Sequence, residues 1–219
     1  MTEAIGQILG DAVGVAISPV PIIALILMLF SAAAGRNSLA FLAGWLIGLS
    51  AVGIVALALG IGSGSDSDSG GIAKIAIGVL FVALGVRQWR GRPRAGEQAK
   101  MPAWMATVDH LGAIKAFGLG LLLTILNPKN AGLTIAAAAS IASSGLSNGE
   151  EAATLAVFVL LASVTIILPV AFYLLARERS RSVLDSLKGW LIQNNNTVMT
   201  VLFIVLGAKV LGDGLSGIG

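Results

Sequence analysis

Five stretches of this chain, residues 12–35, 37–65, 130–149, 152–176 and 189–208, contain no Asp, Glu, Lys or Arg. A bilayer crossing by an α-helix takes roughly 20 consecutive apolar residues, so charge-free runs of this length dictate a membrane protein. Only 11% of the 219 residues are charged, against about 25% in soluble domains. The absence of cysteine removes disulfides, thiolate metal sites and cysteine nucleophiles, and the single histidine, His110, leaves no imidazole cluster. A net charge of +3 spread over so apolar a chain argues against nucleic acid as a partner.

Of two shorter runs, 75–86 becomes long enough if Lys74 and Arg87 at its ends snorkel to the interface, and 116–128 runs on through Lys129 into the next apolar run, which puts a lysine near the middle of that span. Six spans are expected, at about 4–30, 38–62, 71–90, 113–142, 151–176 and 196–215. The start, MTEAIGQILGDAVG, has no basic n-region and reads as part of the first span, not as a cleaved signal peptide. Eleven of the fourteen basic residues fall in the loops at 31–37, 87–115 and 177–195, which six spans put on one side. That side is expected to be cytoplasmic. Glu3, Asp66, Asp68, Glu150, Glu151 and Asp213 fall on the other, so the expectation is a multi-pass plasma-membrane protein with both termini outside.

The run Val79-Leu80-Phe81-Val82-Ala83-Leu84-Gly85-Val86-Arg87 aligns with Val201-Leu202-Phe203-Ile204-Val205-Leu206-Gly207-Ala208-Lys209, with five identities in nine. Spans one and four each carry a proline motif near their middle, Ser18-Pro19-Val20-Pro21 and Asn127-Pro128-Lys129-Asn130. These marks recur in order, predicting two three-helix repeats, 1–95 and 113–219, joined by an amphipathic cytoplasmic linker at 96–112. Three is odd, so the second repeat enters the membrane inverted. The fold class expected is an all-α membrane protein of six helices in two inverted repeats, with helices one and four broken by proline. Residues 101–111 and 183–191 each place apolar residues at helical spacing beside charges and a tryptophan. An interfacial amphipathic helix or a plain juxtamembrane loop fits either segment.

A proline within a membrane helix frees backbone carbonyls and breaks the helix, and matching breaks in inverted repeats are where transporters place a substrate site. Ser18, Pro19 and Pro21 would line one lip, and Asn127, Pro128, Lys129 and Asn130 the other. Asp11, two turns before Pro19, is the candidate proton relay or ion-pair partner of Lys129, with a position at the outer interface as the alternative. Gly6, Gly10 and Gly14, and Gly44 and Gly48, have the spacing of close helix contacts. No metal site is expected. Asp66-x-Asp68 lacks the remaining ligands of a calcium loop. No phosphate-binding loop marks a cofactor site, and one loop histidine with no polar triad argues against an intramembrane enzyme.

The segments ISPVPIIALILML, RQWRGRP, TILNPKNAGLTIAAA and NNNTVMTVLFIVLGAKVLGDGL resemble the actinobacterial GAP family. These peptidoglycolipid-addressing proteins, also called sulfolipid-1-addressing or Sap proteins, are placed in the LysE exporter superfamily. The resemblance covers nearly the whole chain. LysE-type amino-acid exporters show Pro-Gly-Pro in the first span, matched here by Pro19 and Pro21 with Val20 between, and Asn-Pro-Lys in the fourth, matched by Asn127, Pro128 and Lys129. The exchange of glycine for Val20 argues against amino acids as cargo. The resemblance implies movement of cell-envelope glycolipids beside large proton-driven lipid transporters.

The expected function is a secondary transporter exporting a small amphipathic or lipid-linked solute, driven by protons, with membrane lipids and a glycolipid cargo as partners and room for a homo-oligomer. A non-transporting accessory subunit of a glycolipid export complex is the second reading.

Overall fold

The computed structural model describes residues 1–60, 68–94, 97, 99, 108 and 111–216, and within helices the side chains of all but 68–71, 73 and 74. The Asp66-x-Asp68 loop, most of the linker with Met101 to Met105, and His110 lie outside the described residues. Among the described residues there are nine α-helices: α1 (Thr2–Ala16), α2 (Pro19–Phe30), α3 (Ala34–Ala58), α4 (Asp68–Arg90), α5 (Ala113–Ile125), α6 (Pro128–Ala142), α7 (Asn148–Ala162), α8 (Val164–Leu175) and α9 (Arg177–Leu215). Two of them, α3 and α9, are long and apolar enough to cross a membrane alone. The count rises to four if the bent pairs α1–α2 and α7–α8 are each one span. Among the described residues the chain is all-helical, and its apolar helices are those of a membrane protein.

Both proline motifs stop helices for the same reason. A proline disfavours helical geometry in the residue before it. Ser18 (φ −110°, ψ 100°) and Asn127 (φ −81°, ψ 108°) are accordingly extended, and α2 and α6 begin on Pro19 and Pro128. At the first helical position the missing N–H costs nothing. The axis turns by 55° between α1 and α2.

Two expectations change. The run 151–176 is not one straight span: α7 and α8 meet at Ser163 with a 61° bend. Ser163 there accepts a hydrogen bond from Trp45 Nε1 at 3.1 Å, a buried contact whose partner lies 118 positions away in sequence. In the other change, residues 177–195 are neither loop nor separate surface helix, since α9 runs unbroken from Arg177 through the expected sixth span.

The helices form two compact units, each drawing on both halves of the sequence: residues 1–63 with 101–188, and 64–100 with 189–219. In the first, α3 lies along α5 at glycine contacts. A Cβ on Gly44 would stand 2.1 Å from the Phe117 carbonyl oxygen, and one on Gly120 would stand 2.4 Å from that of Phe41. Gly48 faces Thr124 and Gly14 faces Leu133 in the same way, whereas a Cβ on Gly6 or Gly10 would meet nothing within 4 Å among the described residues.

In the second unit α4 runs antiparallel to the end of α9, and the contacts are reciprocal. Gly85 meets Ile204 and the Thr200 carbonyl, while Gly207 meets Val82 and the Gly78 carbonyl. Phe81 and Phe203 pack ring against ring, 5.8 Å apart. Each residue thus touches the aligned counterpart of its own partner, the pattern that a two-fold axis imposes on an interface.

Candidate functional site

The first unit brings the two broken helices together at their breaks. Gly14 and Leu123 each stand five residues before a proline. Their helical donors would be the amides of Ser18 and Asn127, which the prolines hold in extended conformation. Buried carbonyls left without donors cost about 1–3 kcal/mol each, so something must replace the lost amides. Side chains from the start of α6 do so: Lys129 Nζ donates to the Gly14 carbonyl at 2.5 Å, and Asn130 Nδ2 to that of Leu123 at 2.9 Å. Thr165 of α8 donates to the Ala16 carbonyl at 2.6 Å.

The two breaks are also tied directly, by Ser18 Oγ donating to Asn130 Oδ1 at 2.9 Å. Asn130 is therefore shared, giving its amide nitrogen to its own chain segment and its oxygen to the other. Thr134 Oγ1 donates to the Asn130 carbonyl at 2.8 Å, and the Asn127 side chain caps α6 by accepting from the Lys129 amide at 3.1 Å. Asn127, unlike Ser18, spends its side chain on its own helix.

Ser18, Lys129 and Asn130 are all at most 2% exposed, an arrangement tolerated in an apolar bundle because each polar atom named is bonded. Asp11, 2% exposed, lies on α1 one turn before Gly14 and so shares the helix face to which Lys129 reaches. Pro19 and Pro21 are buried at the start of α2, whereas Pro128 is exposed, so the contribution of Pro128 visible here is the break itself.

Thr165 and the Ser163–Trp45 pair are site neighbours that sequence reasoning missed. The one sequence signal for Ser163 and Thr165 is a pair of hydroxyls close together in a mostly apolar run that also holds Pro169. Elsewhere in this unit a crevice of about 640 Å³ opens between α3 and α7, walled by Ile54, Leu57, Leu155 and Val159 and rimmed by Asn148 and Glu151.

No curated protein and no solved structure matches this chain. A family profile described as Sap, sulfolipid-1-addressing protein, matches residues 8–216, a stretch that contains both proline breaks, Lys129, Asn130 and the reciprocal α4–α9 pair. The chain belongs to the sulfolipid-1-addressing (Sap) protein family.

Proposed function

We propose that this protein is a secondary transporter of the LysE type that moves an amphipathic, lipid-linked envelope solute out across the plasma membrane, driven by protons. The family name points to sulfolipid addressing. The observation that carries the reading is the joined pair of breaks, in which Ser18, Lys129 and Asn130 stand in for lost backbone donors deep in an apolar bundle. Side-chain bonds of this kind can be exchanged for bonds to a cargo headgroup, whereas a continuous helical ladder offers nothing to exchange. Lys129 would trade the Gly14 carbonyl for an anionic group of the cargo, and Asp11, on the same face of α1, would take up and release the coupling proton.

The reciprocal antiparallel contact of α4 with α9 supports the inverted repeat, since a two-fold axis in the membrane plane relates antiparallel helices in this way. That symmetry favours six spans with both termini outside. The crevice between α3 and α7, apolar within and polar at its rim, suits a cargo with an acyl chain. The chemistry proposed is transport without catalysis, and it needs no cofactor.

The test is delivery in cells together with flux in vesicles. Lys129→Ala and Asn130→Ala are expected to abolish appearance of envelope glycolipid in surface extracts while the amount of protein in the membrane stays normal. Purified protein in vesicles with an imposed pH gradient is expected to move extracted glycolipid. Wild-type delivery by both variants would overturn the site. No flux from purified protein, with co-purification of a large lipid transporter, would establish the accessory-subunit reading.

A further inference from the structure

The second unit holds a cationic feature that the transport reading does not use and that stands independently of it. Four arginines, Arg87, Arg90, Arg92 and Arg94, occur in eight residues with no acid among them. Such clusters often set topology and nothing more. Here, however, they are built into a shaped site.

The Arg92 guanidinium lies 3.4 Å from the Trp89 ring centroid, and its Nη1 donates to the Trp89 carbonyl at 3.0 Å, which fixes its position. The segment after α4 is fastened to α9 by two amide side chains. Asn196 Nδ2 donates to the Gly91 carbonyl at 2.6 Å. Gln193 accepts from the Ala99 amide at 3.1 Å and donates to the Glu97 carbonyl at 2.9 Å. A Cβ on Gly91 would come within 3.2 Å of Asn196 Nδ2, so the glycine admits this clasp. The nearby acid, Glu97, uses Oε2 to accept from the Arg94 amide at 3.2 Å. The result is a cavity of about 620 Å³ lined by Trp89, Arg90, Arg92, Pro93 and Arg94.

Its depth in the membrane follows from its neighbours. Trp89 and Trp190 are each about half exposed, as tryptophans at the headgroup level are. Leading away from the cavity along α4, Ile72, Val79 and Val86 are exposed at seven-residue spacing, an apolar stripe on one face of the helix. A free anion would use only the arginines, and an acyl chain without an anionic headgroup only the stripe. A diacyl phospholipid uses both, with its phosphate among the arginines and a chain along the stripe. We propose that this cavity is a binding site for the phosphate headgroup of an anionic phospholipid of the leaflet that the arginines face.

The test uses the full-length protein in neutral detergent, titrated with phosphatidylglycerol and, in parallel, with phosphatidylcholine, with bound lipid counted by native mass spectrometry. Wild type is expected to prefer phosphatidylglycerol. Replacing Arg90, Arg92 and Arg94 together by Ala is expected to weaken its binding by about tenfold or more, as loss of basic residues at an anionic surface does. Arg179→Ala with Arg181→Ala, on the first unit's part of α9, is expected to leave it unchanged. Asn196→Leu keeps every charge but releases the clasp, and is also expected to weaken binding. Equal loss from both sets of arginine changes, or wild-type binding by Asn196→Leu in a protein of unchanged melting temperature, would overturn the built site. Equal affinity of wild type for the two lipids would do so as well.

Discussion

The two units handle repeated sequence in opposite ways. In the α4–α9 unit the aligned segments 79–87 and 201–209 meet symmetrically, glycine opposite Val82 or Ile204 and phenylalanine against phenylalanine. In the unit of the broken helices the proline marks recur but the chemistry does not. Lys129 and Asn130 both belong to α6 and satisfy carbonyls on both sides, while the first half contributes one hydroxyl, Ser18. The lesson is that symmetry serves packing, where identical small residues let two backbones approach equally. At the breaks a single side chain, Asn130, bonds to both segments, so the arrangement departs from symmetry where the bonds are made.

The comparison can be broken at several points. The largest effect is expected from Gly44→Val, because its Cβ would meet Phe117 backbone, which has no rotamer to yield. A loss of about 3 kcal/mol or more, read as unfolded or aggregated protein in detergent, is expected. Next is Lys129→Met, which strands the Gly14 carbonyl at a cost of about 1–3 kcal/mol by thermal unfolding. A neutral result there would mean that the carbonyl finds another donor and the breaks are not held by α6.

Gly85→Ala and Gly207→Ala test the symmetric side, each crowding a β-branched side chain and a carbonyl for about 1–2 kcal/mol. The two losses should be of similar size, because the contacts are counterparts of one another. Unequal losses would show that the reciprocity is only apparent. Ser18→Ala should cost about 1 kcal/mol, less than Lys129→Met, because the hydroxyl and the asparagine oxygen are one neutral pair.

The smallest effect sits at the start of α7. Ser147 donates to Glu150 Oε2 from its amide at 3.0 Å and its hydroxyl at 2.8 Å, which holds the Glu150 carboxyl below the usual carboxylate range. A lowered folded-state pKa adds stability that is present above the ordinary carboxylate range and is lost as pH falls through the lowered value. Glu150→Gln should therefore narrow the gap between melting temperatures at pH 7 and pH 3, by a small amount because the group is exposed.

Much of this was readable in advance, and the residues show why. Runs without charge announce helices because a bilayer leaves the backbone no other partner than itself. Pro19 and Pro128 announce breaks because the ring disfavours helical geometry in the residue before it, although Pro169 sits inside α8 without ending it. The bend at Ser163 was hidden because it lies six residues from Pro169 and is joined to Trp45, a contact that local sequence does not encode. The continuity of α9 was hidden too, since Arg177 to Lys188 is charged like a loop but its backbone bonds internally all the same.

By itself, then, the sequence determined that the apolar runs are helical, where two helices stop at Pro19 and Pro128, and which few polar groups must be accommodated in an apolar interior. Only the tertiary structure decided what each of those groups bonds to. Lys129 was legible as a buried cation, but its partner is the backbone of Gly14, which any residue would present. A carbonyl has no sequence signature, and proximity over more than a hundred residues is made by packing.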